Sequence, residues 1–250
     1  GTYPVRPHYQ FCKNNLIGLT MELTAVNVKR LYLQIAEQLA APIRAGELKK
    51  GDALPSEREL ARRLSVSRPT IREAITTLEV MGLVEVRPGS GVYVRDSGAA
   101  MMEVPENVPG PFEILEARKT LEPEMAAFAA NRISDEQVER LREMLRQFGD
   151  SKLDASDIER IDRDFHCLIA EATNNSALSG LAKWLWEVRS DSEVNVAFYK
   201  RVRDQGVRPA VDDHRAIIAA LMARDENAAR NAMREHLQRA IEDLTEMSLD

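Results

Sequence analysis

Between Ser56 and Val94 the chain carries two helical apolar periods separated by only three residues, Ser65-Val66-Ser67, and followed at once by two short β-like runs. Few folds accommodate that order. Ser56-x-x-Glu59 has the form of a capping box ahead of Leu60 and Leu64, with the serine oxygen placed to accept an otherwise orphaned backbone N–H. After the break, Ser67 caps the next helix. Pro69 is tolerated in its first turn, where the backbone N–H has no helical partner anyway. The apolar face of that helix is Ile71, Ile75, Leu78 and Met81, and Gly82 closes it. Leu83-Val84-Glu85-Val86 and Val92-Tyr93-Val94 then flank the turn signal Arg87-Pro88-Gly89-Ser90-Gly91. Upstream, Leu31, Ile35, Leu39 and Ile43 predict a helix from Val28 to Arg44, ended by Gly46.

Helix, helix, tight turn, helix, hairpin is the order of a winged helix-turn-helix, in which the helix after the turn is a reading head for the DNA major groove. Arg68 and Arg72 lie four apart on one face of it, and Thr70 sits at its start. Arginine bonds guanine O6 and N7 in a bidentate manner. Arg58, in the first turn of the preceding helix, reaches phosphate or base, and the hairpin glycines Gly89 and Gly91 allow close approach to a backbone. An isolated arginine pair is ordinarily a solvated face; the complete order of elements decides for DNA. The net charge of −6 is no objection, because binding follows the local field. Residues 21–96 carry 12 Lys and Arg against 10 Asp and Glu, whereas 97–250 carry 20 against 30, so the two halves suit different partners.

Residues 1–20 show no helical or strand period and are read as a leader outside the fold. The segment 97–111, with its prolines and small residues, reads as a linker, which leaves 21–96 as one domain and 112–250 as another. No apolar run approaches the ~18 residues of a membrane helix, and Cys12 and Cys167 make no disulfide framework. A cytoplasmic protein without a membrane partner is expected. Beyond the linker the periods are all helical, over about 112–131, 135–149, 155–173, 176–200, 208–224 and 226–247, and Ser134-x-x-Gln137 and Asp225 serve as caps. The expected architecture is therefore mainly α, a winged helix-turn-helix followed by an antiparallel all-helical bundle.

Three of the four histidines fall in that bundle, each on an apolar stripe: His166 beside Phe165 and Ile169, His214 before Ile217, Ile218 and Leu221, and His236 among Met233, Leu237, Ala240 and Ile241. Asp162 precedes His166 by four residues, so the two share a face. A lone histidine on an apolar face is more often a satisfied core residue. Three turned inward, with a carboxylate that burial penalises unless it is paired, favour a site for a divalent transition ion, zinc first and nickel or manganese as alternatives. Cys167 is read as core, and Asp213 as solvent-facing or behind the ligands. Arg118 lies in the stripe of Ile114, Leu115, Leu121 and Met125, where a guanidinium needs an anion. Glu122 is the bland partner, and a small carboxylate that also reaches the ion is the sharper one.

The N-terminal module resembles the DNA-binding domain of the GntR family of bacterial transcription regulators. The likeness rests on Gly51-Asp52-Ala53-Leu54-Pro55-Ser56-Glu57-Arg58-Glu59-Leu60-Ala61, on Val66-Ser67-Arg68-Pro69-Thr70-Ile71-Arg72-Glu73-Ala74 and on Gly89-Ser90-Gly91-Val92-Tyr93-Val94. It implies Arg58, Arg68 and Arg72 at DNA, with Ser67, Thr70 and the wing glycines beside them. The bundle resembles the effector domain of the FadR-type branch. That likeness rests on Glu116-Ala117-Arg118, Leu121-Glu122-Pro123, Asp162-x-x-x-His166, Ile169-Ala170-Glu171-Ala172-Thr173-Asn174-Asn175, Asp213-His214 and Arg234-Glu235-His236-Leu237. It implies Asp162, His166, His214 and His236 as metal ligands and Arg118 and Asn175 at an effector. The stretch Gly110 to Arg118 is similar to repressors of uronate and related sugar-acid catabolism.

The expectation is a homodimeric, ligand-responsive repressor, not an enzyme, which binds a palindromic double-stranded operator and answers to a uronate, aldonate or other hydroxy acid. The alternatives are a regulator for which the ion itself is the signal, disfavoured by Arg118, and a metal-dependent enzyme, disfavoured by the lack of a general base near the set.

Overall fold

The computed structural model describes residues 30–87, 89–95, 108–150 and 152–246. The expected leader and most of the expected linker lie outside the described residues. The elements are α1 (Leu31–Arg44), α2 (Glu57–Leu64), α3 (Arg68–Val80), β1 (Val84–Arg87), β2 (Gly91–Val94), α4 (Pro111–Ala130), α5 (Asp135–Phe148), α6 (Ala155–Ala172), α7 (Ser176–Glu187), α8 (Glu193–Asp204), α9 (Val211–Met222) and α10 (Glu226–Glu246).

In the N-terminal unit the capping serines act as their spacing predicts. Ser56 Oγ accepts Glu59 N–H and Ser67 Oγ accepts Thr70 N–H, each at 3.3 Å. The box at Ser56 is only half made, because the Glu59 carboxylate turns to Arg62 and Arg63. β1 and β2 pair antiparallel, with Val84 opposite Val94 and Val86 opposite Val92. Leu54 N–H adds a bond to Val92 O, so the segment before α2 extends the wing's edge. Ile35, Ile43, Leu60, Ile71, Ile75, Leu78, Val84 and Val92 form the core. Leu31, expected to face inward, is 53% exposed; the buried face of α1 starts one residue later, at Tyr32.

The C-terminal unit is an all-helical bundle whose core joins α4, α5, α6, α9 and α10, with Phe165, Leu168, Ile169, Ile217, Leu221 and Met233 among its most buried side chains. Ser134 and Gln137 complete a reciprocal box at α5. Asp225 accepts the N–H groups of Asn227 and Ala228 at the start of α10. The period read as one helix over 176–200 is in fact α7 and α8, with a break at 188–192. The buried Asn195 side chain helps hold it: its Nδ2 donates to Val188 O at 3.1 Å and to Pro109 O at 3.0 Å, beside the Asp191 N–H that donates to Val188 O at 3.3 Å. A helix predicted from 208 begins at Val211, after Pro209, whose ring disfavours helical backbone before it.

The two units meet along α3. Residues 71–78 of that helix are all buried, by their own core on one side and by α8 and the start of α4 on the other. Glu73 Oε1 accepts Phe112 N–H at 2.9 Å. Gly110 sits so near that a Cβ there would lie 2.6 Å from Glu73 Oε1, so a larger residue would push that carboxylate aside. Arg201 of α8 pairs with Glu79 and donates to Thr76 Oγ1.

Candidate functional site

The first candidate surface is the N-terminal end of α3 with the wing. Arg58 is exposed and makes no ion pair among the described residues. Arg68 is 44% exposed and touches Glu57 Oε2 only at 3.4 Å. Ser67 and Thr70 bond each other through their hydroxyls at 2.7 Å. At the hairpin, Gly89 and Gly91 have φ of +70° and +115°, backbone that favours glycine. Arg72 departs from the expectation. It is 2% exposed, its Nε donates to Glu57 Oε1 at 2.9 Å, and its Nη1 donates to the carbonyl of Leu244 near the end of α10. The pair that the spacing places on one face is therefore split. Arg68 lies in solvent, whereas Arg72 is locked between α2 and α10. Glu57, fully buried, is the residue that sequence reasoning missed; its place in a capping motif made it look like an ordinary acidic first-turn residue.

The second candidate is the set that the sequence singles out in the bundle. Asp162, His166, His214 and His236 each offer one ligand atom, and these atoms all lie within 4.8 Å of one another. α6 supplies the first two, α9 the third and α10 the fourth. His214 Nε2 lies 3.0 Å from Asp162 Oδ1, His166 Nε2 3.6 Å from the same oxygen, and His236 Nε2 3.3 Å from His166 Nε2.

Of the outer nitrogens, His214 Nδ1 bonds Ala210 O at 2.9 Å, whereas His166 Nδ1, 2.6 Å from Glu122 Oε2, and His236 Nδ1, 3.6 Å from Asp213 Oδ2, lie beside carboxylates without hydrogen-bond geometry. Ala210 O only accepts, so His214 Nδ1–H donates to it, and a carbonyl behind the ring is a usual support of metal-bound imidazole.

Burial works to raise the Asp162 carboxyl, but His166 and His214 outweigh it and hold it well below the ordinary carboxylate range. Burial lowers His236 to about 4, so its imidazole is neutral at pH 7. Glu122 is held at about 2, where Arg118 and His166 overcome its burial. Three imidazoles and one carboxylate fit a divalent transition ion.

Arg118 is buried beside this set. Its Nε donates to Glu122 Oε1 at 2.7 Å, and its guanidinium carbon lies 4.1 Å from the centre of the Trp186 ring. The bland partner is thus present, and it also contacts His166. A cavity of about 120 Å³ opens next to the set, lined by Asp162, His236, Arg118, Arg189, Tyr199 and Arg239 among others. One water needs roughly 10–15 Å³ on this measure, so there is room for a small molecule. Asp213, bonded to Arg239 at 2.9 Å, stands behind His236. Asn175 lies away from the cavity, as the exposed cap of α7, where its Oδ1 accepts the N–H groups of Ala177 and Leu178. Cys167 is half-buried and outside the ligand set. Arg189 and Arg203 escaped sequence reasoning because arginines on a surface helix read as solvated.

A winged reading helix joined to a bundle with a built polar centre defines a regulator of transcription. Residues 31–94 match the bacterial regulatory proteins of the gntR family, and residues 113–239 match the FCD domain, so the chain belongs to the GntR family, in its FCD-containing branch. It is 37% identical to the Uxu operon transcriptional regulator of Escherichia coli strain K12, over 90% of this chain and 91% of that protein. It is 36% identical to the Exu regulon transcriptional regulator of the same strain, over 87% of this chain and 85% of that one. Among solved structures it is similar to E. coli McbR/YncC, at 25% identity and a TM-score of 0.47, covering 87% of this chain and 98% of the other. FCD domains are associated with metal binding, and the families and relatives found are transcription regulators, not enzymes. Among the described residues no helix is long and apolar enough to cross a membrane.

Proposed function

We propose that this chain is a cytoplasmic repressor that binds a palindromic operator as a homodimer and responds to a small hydroxy acid, a hexuronate or an aldonate. In this reading residues 21–96 carry the DNA-binding surface, with Arg58, Arg68, Thr70 and the wing glycines at the DNA. Asp162, His166, His214 and His236 hold one divalent transition ion, zinc first. The observation that carries the reading is the single cavity on which two of these ligands and Arg118 all border. The names of the E. coli Uxu and Exu regulators support the choice of sugar acids.

An ion held by Asp162, His166, His214 and His236 would supply positive charge for a carboxylate oxygen. Glu122 occupies Nε and Nη2 of Arg118, which leaves Nη1 for the same carboxylate. Trp186 holds the guanidinium flat, so that donor is oriented before the acid arrives. α10 links this event to DNA. It carries His236, lines the cavity with Leu237 and Leu244, and through the Leu244 carbonyl grips Arg72 of the reading helix. An acid that binds the two settings of α10 unequally shifts the reading helix with it.

The test is an operator-binding titration on zinc-loaded protein with and without a hexuronate, beside an Arg118→Ala variant. Release of wild-type protein, with Arg118→Ala staying bound, is expected. Equal release of both would place the carboxylate elsewhere.

A further inference from the structure

The cavity has a second polar wall. Tyr199, on α8, lines it and is 5% exposed, yet its hydroxyl has no hydrogen-bond partner among the described residues. The guanidinium carbon of Arg189 lies 3.6 Å from the centre of the Tyr199 ring, and Arg189 Nε is also buried without a partner. Arg189 and Arg203 share one carboxylate, Glu159, at 2.5 Å each, so that wall holds two cations against one anion. A buried donor without an acceptor is unfavourable, and two sit here side by side. Trp186 connects this wall to the histidines: its ring lies 5.7 Å from that of His166, and the Arg189 guanidinium carbon lies 4.4 Å from the Trp186 ring and 3.6 Å from that of Tyr199.

We propose that Tyr199 and Arg189 form a distal oxygen-binding pole that takes the far end of a six-carbon polyhydroxy acid and so selects long sugar acids over two-carbon hydroxy acids. This rests on the effector reading of the cavity given above. A short acid occupies only the end at the ligand set and Arg118. A long one also brings a hydroxyl, carbonyl or second carboxylate oxygen to the Tyr199 hydroxyl and Arg189 Nε, neither of which has a hydrogen-bond partner among the described residues. A site built to bond such an oxygen discriminates against ligands that lack it, because its buried donors are then left bare.

The experiment is calorimetric titration of the zinc-loaded full chain with D-galacturonate and with glycolate, for wild type and Tyr199→Phe. The variant removes one unpartnered oxygen and keeps the ring under Arg189, so its thermal stability without ligand should be equal or higher. Expected is a roughly three- to tenfold weaker galacturonate affinity in the variant, the worth of one hydrogen bond, with glycolate unchanged. Unchanged galacturonate affinity, or the same loss for both acids, overturns the distal pole alone. Failure of wild type to bind either acid overturns the effector reading and this inference together.

Discussion

The exposed end of the reading helix and the buried cluster in the bundle are built on opposite principles. At the first, Arg58 and Arg68 stand in solvent with at most one loose contact. At the second, all three imidazoles are buried and each has a carbonyl or carboxylate oxygen within 3.6 Å of its outer nitrogen, though only His214 makes a hydrogen bond there. A DNA-reading side chain must stay unsatisfied until its partner arrives, so it leaves little trace in the free structure. A metal centre must be assembled beforehand, because buried donors and carboxylates are tolerable only when positioned. Arg72 falls between the two. It belongs to the reading helix by sequence and to the interior by structure.

The contrast predicts that the strongest single effects come from the cluster. Protein purified without chelator should contain about one transition ion per chain by elemental analysis, and His214→Ala should lose it. At a free ion concentration a thousand times the dissociation constant, loss of binding lowers stability by about 4 kcal/mol. Calorimetric melting with and without a chelator should therefore shift wild type strongly and His214→Ala hardly at all. Unchanged metal content in His214→Ala would remove that residue from the set.

Arg72→Ala comes next and sharpens the boundary between the regions. It leaves Glu57 buried without its cation, and breaking such a pair costs about 3–5 kcal/mol. Its mark should be a lower unfolding midpoint of the free protein, which Arg68→Ala does not share. If Arg72→Ala melts like wild type yet fails on operator, Arg72 is a DNA contact after all and the clasp to Leu244 is incidental. Glu73, at the seam, follows. Burial lifts its carboxyl to about 7, well above the 4.5 of an unburied glutamate. The stabilisation from its protonated form is fully present below pH 4.5 and lost as pH rises through 7, about 1–3 kcal/mol in all. Glu73→Gln, which keeps an oxygen for Phe112 N–H, should flatten that decline. A denaturant midpoint falling as steeply in the variant between pH 5 and 8 would show that other groups cause it.

What the sequence disclosed follows the same division. The winged order, the caps at Ser67, Ser134 and Asp225 and the inward histidines were legible because each depends on spacing along one helix. The ligand set could be listed from four such local facts. Glu122 and Asp213 could not be assigned to their histidines, because they reach His166 and His236 only through the packing of α4, α6, α9 and α10, whereas Ala210 O lies one turn before His214 at the cap of the same helix. The break before α8 was hidden for a related reason. It is held in part by Asn195 reaching Val188 and Pro109, and a polar residue within a helical period says nothing of such reach. Arg72 was misplaced because helical spacing gives a face but not what covers it. Asn175 was placed at the effector by resemblance, whereas the structure shows it as the amide that caps the helix that follows, away from the cavity.

The smallest effects belong to the exposed arginines and are read only on DNA. Arg68→Ala should leave folding untouched and weaken operator binding by about 1–3 kcal/mol if its contact is bidentate to a base, with relaxed preference at one position of each half-site. Arg58→Ala distinguishes the other mode. If Arg58 meets phosphate, its loss weakens all sequences alike and reduces the slope of log affinity against log salt by about one. Binding of operator and random duplexes should therefore be measured for both variants at several salt concentrations. If both behave like wild type on every duplex, the exposed end of α3 does not face DNA. The comparison drawn above would then fail at its first term: solvent-facing arginines here would be no more than surface charge.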